Sequence, residues 1–132
     1  MPVTDPIADL LTHIRNGQRA KRTDVLVPFS RLKAELATVL ANEGWVGRVQ
    51  TDSVGGRPHL RISLRYDETG APLIRRIQRV SKPGARVYVR SRFIPSVELG
   101  FGMTILSTPK GLKTNRQARK EHLGGEMLCQ VA

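Results

Sequence analysis

The chain has 132 residues, 39% apolar and 25% charged, which suits one folded unit or two small ones and excludes a disordered polypeptide. Lysine and arginine number 22 against 11 acids, a net charge of +11, and a field of that sign attracts polyanions, nucleic acid first among them. Cys129 stands alone, no stretch is long and apolar enough to span a membrane, and no signal-peptide pattern opens the chain; the expected setting is the reducing cytoplasm.

Thr4-Asp5-Pro6 opens a helix, with Asp5 as cap and Pro6 at the first helical position. Ile7, Leu10, Leu11 and Ile14 follow at helical spacing, and Gly17 either ends the helix or weakens it. Asp24 to Pro28 is a short strand. Ser30 caps a second helix with Leu32, Leu36, Val39 and Leu40 on one face, stopped by Gly44. Trp45 to Gln50 reads as a strand, Ser53 to Arg57 as a turn, and His59 to Tyr66 as an alternating strand. The first half is therefore α-β-α-β-β.

Asp67 to Pro72 is polar, with glycine and proline, and is the candidate linker between domains 1–66 and 73–132. Beyond it the period is mostly two. Leu73 to Val80 is strand-like, Pro83-Gly84 is a turn, and Arg86 to Arg90 alternates, with Arg86, Tyr88 and Arg90 on the polar face. Phe93 to Leu99 suggests one or two helical turns, broken at Gly100-Phe101-Gly102. Met103 to Leu106 is a buried strand, Thr114 caps a short basic helix ended near Gly124-Gly125, and Glu126 to Val131 is a last strand. The expected class is α+β, two small packed domains, the second mostly antiparallel β with short helices.

Enzyme chemistries find little support. No Walker loop or Gly-x-Gly-x-x-Gly is present, and His13, His59, His122 and Cys129 lack zinc-ligand spacing. Cys129 alternates with apolar neighbours and reads as a buried thiol. The acids form no pair suited to proton transfer. No cofactor, metal or small-molecule substrate is expected.

The charge excess is uneven. Residues 1–66 carry 10 bases and 6 acids, residues 67–132 carry 12 and 5, so an anionic partner is expected on the C-terminal half. There Thr108-Pro109-Lys110-Gly111 suits a type I turn after an extended strand. Two readings stand level. Ser107 and Thr108 either satisfy local backbone, or present hydroxyls beside the Lys110 ammonium to phosphate, ribose or a base edge. The basic helix behind the turn favours a polyanion. Tyr88, between Arg86 and Arg90, either covers sheet surface or stacks on an unpaired base. A helix-turn-helix or other duplex-DNA binder is the competing class, though the basic helix lacks a partner helix in sequence.

Three blocks, TDPIADLLTHIRNGQ, IQRVSKPGARVYVR and STPKGLKTNRQARKEHLGGEMLCQV, run in order from Thr4 to Val131. With them the whole chain resembles bacterial small-subunit ribosomal protein eight. The resemblance implies two small domains and a primary binder of the central domain of 16S rRNA that helps organise the platform. It also implies neighbours among small-subunit proteins, including the fifth and twelfth, and in some bacteria repression of the protein's own operon messenger by mimicry. The family's RNA loop falls on Ser107 and Thr108, followed by Lys110 and Gly111; its Gly-Gly-Glu motif falls on Gly124, Gly125 and Glu126; its tyrosine falls on Tyr88. Arg86, Arg90, Lys113 and Arg116 complete the expected RNA surface, and Thr4, Asp5 and Asn16 mark a secondary contact. Glu126, an acid near RNA, is expected to hold the loop or accept from a base or 2′-hydroxyl. The chain departs from the pattern at Pro109, where many members have Ser, at Asn115, where Asp is frequent, and at Gln130 and Ala132.

Overall fold

Asp5 sets the first element. Its carboxylate accepts from the Ala8 N–H at 3.2 Å, Pro6 takes the first helical position, and α1 runs Pro6–Arg19. The computed structural model describes residues 5–95 and 102–132. The chain divides into two compact units, Met1–Ile74 and Arg75–Ala132. The fold class is α+β, with three helices and two antiparallel sheets among the described residues.

In the first unit, Ile7, Leu10, Leu11 and Ile14 of α1 are buried. Gly17 does not end the helix. A Cβ there would collide with Val25 and stand 3.0 Å from Leu64, so the missing side chain lets α1 lie close against β1 (Asp24–Pro28). Ser30 caps α2 (Arg31–Asn42) by accepting from the Lys33 N–H, and Gly44, at φ +82°, ends it. The buried face of α2 is Lys33, Leu36, Ala37 and Leu40; Leu32 and Val39, expected inside, are half-buried. The face turns because Lys33 reaches inward, donating to Asp9 Oδ2 at 2.6 Å and to the Pro28 carbonyl at 3.3 Å.

β2 (Val49–Val54) and β3 (Arg57–Ser63) complete a sheet of order β1-β3-β2. The expected strand at Trp45–Gln50 lies later, because Gly55 and Gly56, both at positive φ, make a two-residue turn and let pairing run to Val54↔Arg57. Leu60, Ile62 and Leu64 face the core as their alternation requires. Residues 67–72 form a capped turn in which the Asp67 carboxylate accepts from the Thr69 and Ala71 N–H groups, and Tyr66 bridges to Pro72.

The second unit is built on its last strand. β8 (Gly125–Val131) pairs with β4 (Ile77–Arg79) and β5 (Tyr88–Val89) on one edge and with β6 (Met103–Thr108) on the other; β7 (Gly111–Thr114) pairs with β6. The strands expected over 73–80 and 86–90 shrink to three and two residues, because only those find a regular partner in β8. A register shift between Ile105 and Leu106 places Cys129 opposite the first and Met127 opposite the second. Leu128 is the extra residue, so Leu128 and Cys129 are both buried in succession.

Thr114 caps α3 (Asn115–Lys120) in a capping box with Gln117. Asn115 is buried, and its side chain accepts from the Thr104 N–H at 3.3 Å. The helix stops at Lys120, before Gly124-Gly125, because His122 takes φ +56° and turns the chain. A 3-10 turn spans Ser91–Phe93; of the helical turns expected over Phe93–Leu99, residues 96–99 lie outside the described residues, as do Gly100 and Phe101 of the expected break. Ile94, Leu106 and Ala118 form the apolar floor of this unit, with Val89, Leu123 and Met127 packed against them.

Candidate nucleic-acid interface

Above that floor, β8 enters the sheet between β5 and β6. The register sets Tyr88 opposite Glu126, and Glu126 opposite Ser107, so these three side chains form one row across three strands. Two glycines make the approach possible. A Cβ at Gly124 would stand 2.6 Å from the Val89 carbonyl oxygen, and one at Gly125 would overlap the Ser107 carbonyl oxygen and sit 3.2 Å from Thr108 Cα. Gly-Gly is thus the clasp that holds Val89–Ser91 and Ser107–Thr108 at the two walls of one open groove of about 790 Å³.

Tyr88 is 71% exposed on this groove. Such a ring offers a stacking face to an unpaired base. Glu126, between the walls, is committed. Its Oε2 accepts from the Ser81 hydroxyl at 2.5 Å and from Arg86 at 3.0 Å, and Ser81 Oγ in turn accepts from the Val87 N–H. Burial alone would push the Glu126 carboxyl up; the Ser81 hydroxyl and Arg86 guanidinium outweigh it and hold the group below its ordinary range. Its geometry is that of an acid holding the 81–87 loop to β8.

The Ser107-Thr108 pair divides in role. Thr108 Oγ1 donates to the Gly111 carbonyl at 2.7 Å and accepts from the Lys110 N–H at 3.2 Å, so this hydroxyl tightens the turn. Gly111, at φ +102°, closes it opposite Thr108. Ser107 is exposed, and no hydrogen bond holds its hydroxyl among the described residues. Of the two hydroxyls weighed from sequence, one is local and the other faces outward.

Tyr88, Arg90, Ser107, Thr108, Gly124, Gly125 and Glu126 line the groove together, and Arg86 joins through Glu126. Lys110 and Gly111 lie in the exposed turn beyond Pro109. Lys113 is paired with Glu121 at 3.3 Å, and Arg116 is exposed on α3. Sequence reasoning did not include Val89, Ser91, Pro109 or His122 among the lining residues. Pro109 belongs to the turn its own residue types announce, whereas Val89, Ser91 and His122 are brought in by pairing or by backbone conformation. Of the secondary set, Asp5 is the α1 cap, Asn16 lines a separate cleft in the first unit beside His13 and Arg22, and Thr4 lies outside the described residues.

The family model for ribosomal protein S8 matches residues 5–132. The chain belongs to the ribosomal protein S8 family. It is 50% identical over 132 residues, the whole of both chains, to small ribosomal subunit protein uS8 of Cupriavidus metallidurans. It is 48% identical to that of Aromatoleum aromaticum and 49% identical to that of Albidiferax ferrireducens, again across all of both chains. The family is structural rather than catalytic. Among the described residues no group of three or more His, Cys, Asp or Glu could hold a metal ion, and no helix is long and apolar enough to cross a membrane. The Cys129 thiol is fully buried and pushed up to about 12 by that burial, which leaves it unreactive.

Proposed function

We propose that this chain binds ribosomal RNA directly through the groove of its C-terminal unit, as a primary binder of the central domain of 16S rRNA. A member of the S8 family is a structural constituent of the small ribosomal subunit, and so a cytoplasmic protein of translation. The observation that carries the finer reading is the row Tyr88–Glu126–Ser107. It offers an exposed ring, a fixed acceptor and an outward hydroxyl at strand spacing, with Arg90 on one wall. Rings and short hydroxyls suit the bases and 2′-hydroxyls of irregular RNA, while the surrounding cations set register on phosphates. A duplex-DNA reader of the helix-turn-helix kind would need a helix free to enter the major groove; α3 has 6 residues and buries Asn115 and Ala118.

The finer partners belong to the same proposal. They are the fifth and twelfth small-subunit proteins as neighbours, a role in platform assembly, and the operon messenger as a second RNA. Competition at physiological salt between a central-domain 16S transcript and duplex DNA tests the core of it. The transcript is expected to win by at least about 1000-fold. Tyr88→Ala is expected to weaken transcript binding by roughly 1–3 kcal/mol, and Ser107→Ala by roughly 1, with thermal stability unchanged. Equal affinity for the transcript and duplex DNA would sink the reading.

A further inference from the structure

One groove residue is left without a task. His122 follows α3 in the left-handed region, at φ +56°, where side chains other than glycine are strained. Local bonds that close the end of α3 hold this conformation. The His122 N–H reaches the Arg119 carbonyl at 3.3 Å, and the Leu123 N–H donates to the Ala118 carbonyl at 2.8 Å. This backbone turns His122 into the lining of the groove, with Tyr88, Arg90 and Ser107. The other two histidines are engaged locally: a ring nitrogen of His13 lies 2.8 Å from the Asp9 carbonyl, and one of His59 lies 3.0 Å from the Arg57 carbonyl. Among the described residues no bond holds the His122 ring, and the residue is exposed.

We infer that His122 is a further RNA-contacting residue, whose imidazolium donates to a backbone phosphate on the groove wall. This rests on the RNA reading above and adds to it a contact that depends on pH, because imidazole is the side chain that gains its proton near neutrality. The charges around it favour an anion. The β5 side contributes Arg90. From β8 comes Glu126, whose carboxylate is taken by Ser81 and Arg86. On α3, Arg119 is bonded to the Ile94 carbonyl and Lys120 is exposed; just past it, Glu121 is paired with Lys113 of β7. Among the described residues both nearby acids are thus neutralised by partners, and a phosphate entering the groove meets Arg90 and His122.

The test uses the full chain and a central-domain 16S transcript, with affinity measured against salt at pH 5.5 and pH 8.0. For the wild type, the slope of log affinity against log salt is expected to be steeper at pH 5.5 by roughly 0.7–0.9, and binding tighter by about threefold. In His122→Asn, which keeps a polar side chain tolerant of the left-handed region, the two slopes are expected to coincide. His13 and His59 remain in that variant, so the difference isolates His122. The same pH dependence in wild type and variant, with the transcript still preferred over a scrambled one, overturns the inference. If neither protein prefers the transcript but the pH-dependent slope is lost with His122, the specific RNA reading fails and the phosphate contact stands. Thermal melting gives a second check. His122→Gly is expected to raise Tm by about 4 °C through relief of the left-handed strain, while still losing the pH-dependent slope. A His122→Gly protein that keeps the pH-dependent slope overturns the inference.

Discussion

The two units handle charge in opposite ways. Residues 1–74 carry 10 bases against 8 acids, and residues 75–132 carry 12 against 3. In the first unit three cations are seen paired with acids: Lys33 with Asp9, Arg61 with both Asp24 and Asp52, Arg31 with Glu35. In the second, Glu126 takes Arg86 and Glu121 takes Lys113, and the remaining cations exceed any acid supply within the unit. The first unit uses charge to fix its own helices and sheet. The second leaves it over for a partner, and of its described acids Glu126 is tied to Ser81 and Arg86 and Glu121 to Lys113.

The largest expected effect is at the clasp. Gly125→Ala forces a Cβ into the Ser107 carbonyl, and rigid backbone on that side should cost about 3 kcal/mol and abolish transcript binding. Trp45, the single tryptophan, lies in the first unit. Urea melts should therefore show an early transition by circular dichroism with the Trp45 fluorescence midpoint unmoved; a joint shift would break the contrast between units. Lys33→Ala is the mirror experiment. It removes the lysine partner of Asp9, which is 21% exposed and keeps, among the described residues, only His13 Nδ1 at 3.4 Å, and should cost about 2 kcal/mol in the Trp45 melt while transcript affinity changes less than about twofold. A large loss of affinity would mean that the first unit is more than a scaffold.

The smallest effect sharpens the role of Glu126. Its folded carboxyl is held below the ordinary value of 4.5, so its contribution to stability is complete above that value. The contribution is lost as pH falls through the folded value. Wild type should therefore lose stability of the second unit below about pH 4.5 relative to Glu126→Gln, which should itself be weaker at pH 7 by roughly 1 kcal/mol. Acid titrations of Tm that run parallel for the two proteins would show that the Ser81 and Arg86 contacts contribute nothing.

Much of this was legible along the chain. Asp5-Pro6 and Gly44 announce helix ends through local chemistry, and Leu60, Ile62 and Leu64 show their face by alternation. The Thr108–Gly111 turn is written in its own residue types. What sequence hides is set by other parts of the molecule. A lysine on a helix reads as solvated, and only the fold brings Asp9 and the Pro28 carbonyl to Lys33. Gly124-Gly125 reads as a helix stop, whereas its hydrogens are required by backbone from β5 and β6. The left-handed turn at His122 has no sequence mark, since glycine is the residue that would have announced it. The candidate site was nameable from the resemblance, yet the split between Ser107 and Thr108 depends on atoms one hairpin away.

The place of β8 has a bearing on synthesis. Every other strand of the second sheet precedes it in the chain, and β4 and β5 pair with nothing else. The β6–β7 hairpin can form as it emerges, but the wall at Tyr88 has no strand to lean on until Gly125 and Glu126 arrive. A nascent chain therefore has its first three-stranded sheet early and its groove last. An unfinished polypeptide carries the positive charge of this protein without the shape that makes it selective, and gains that shape only when β8 threads between its neighbours.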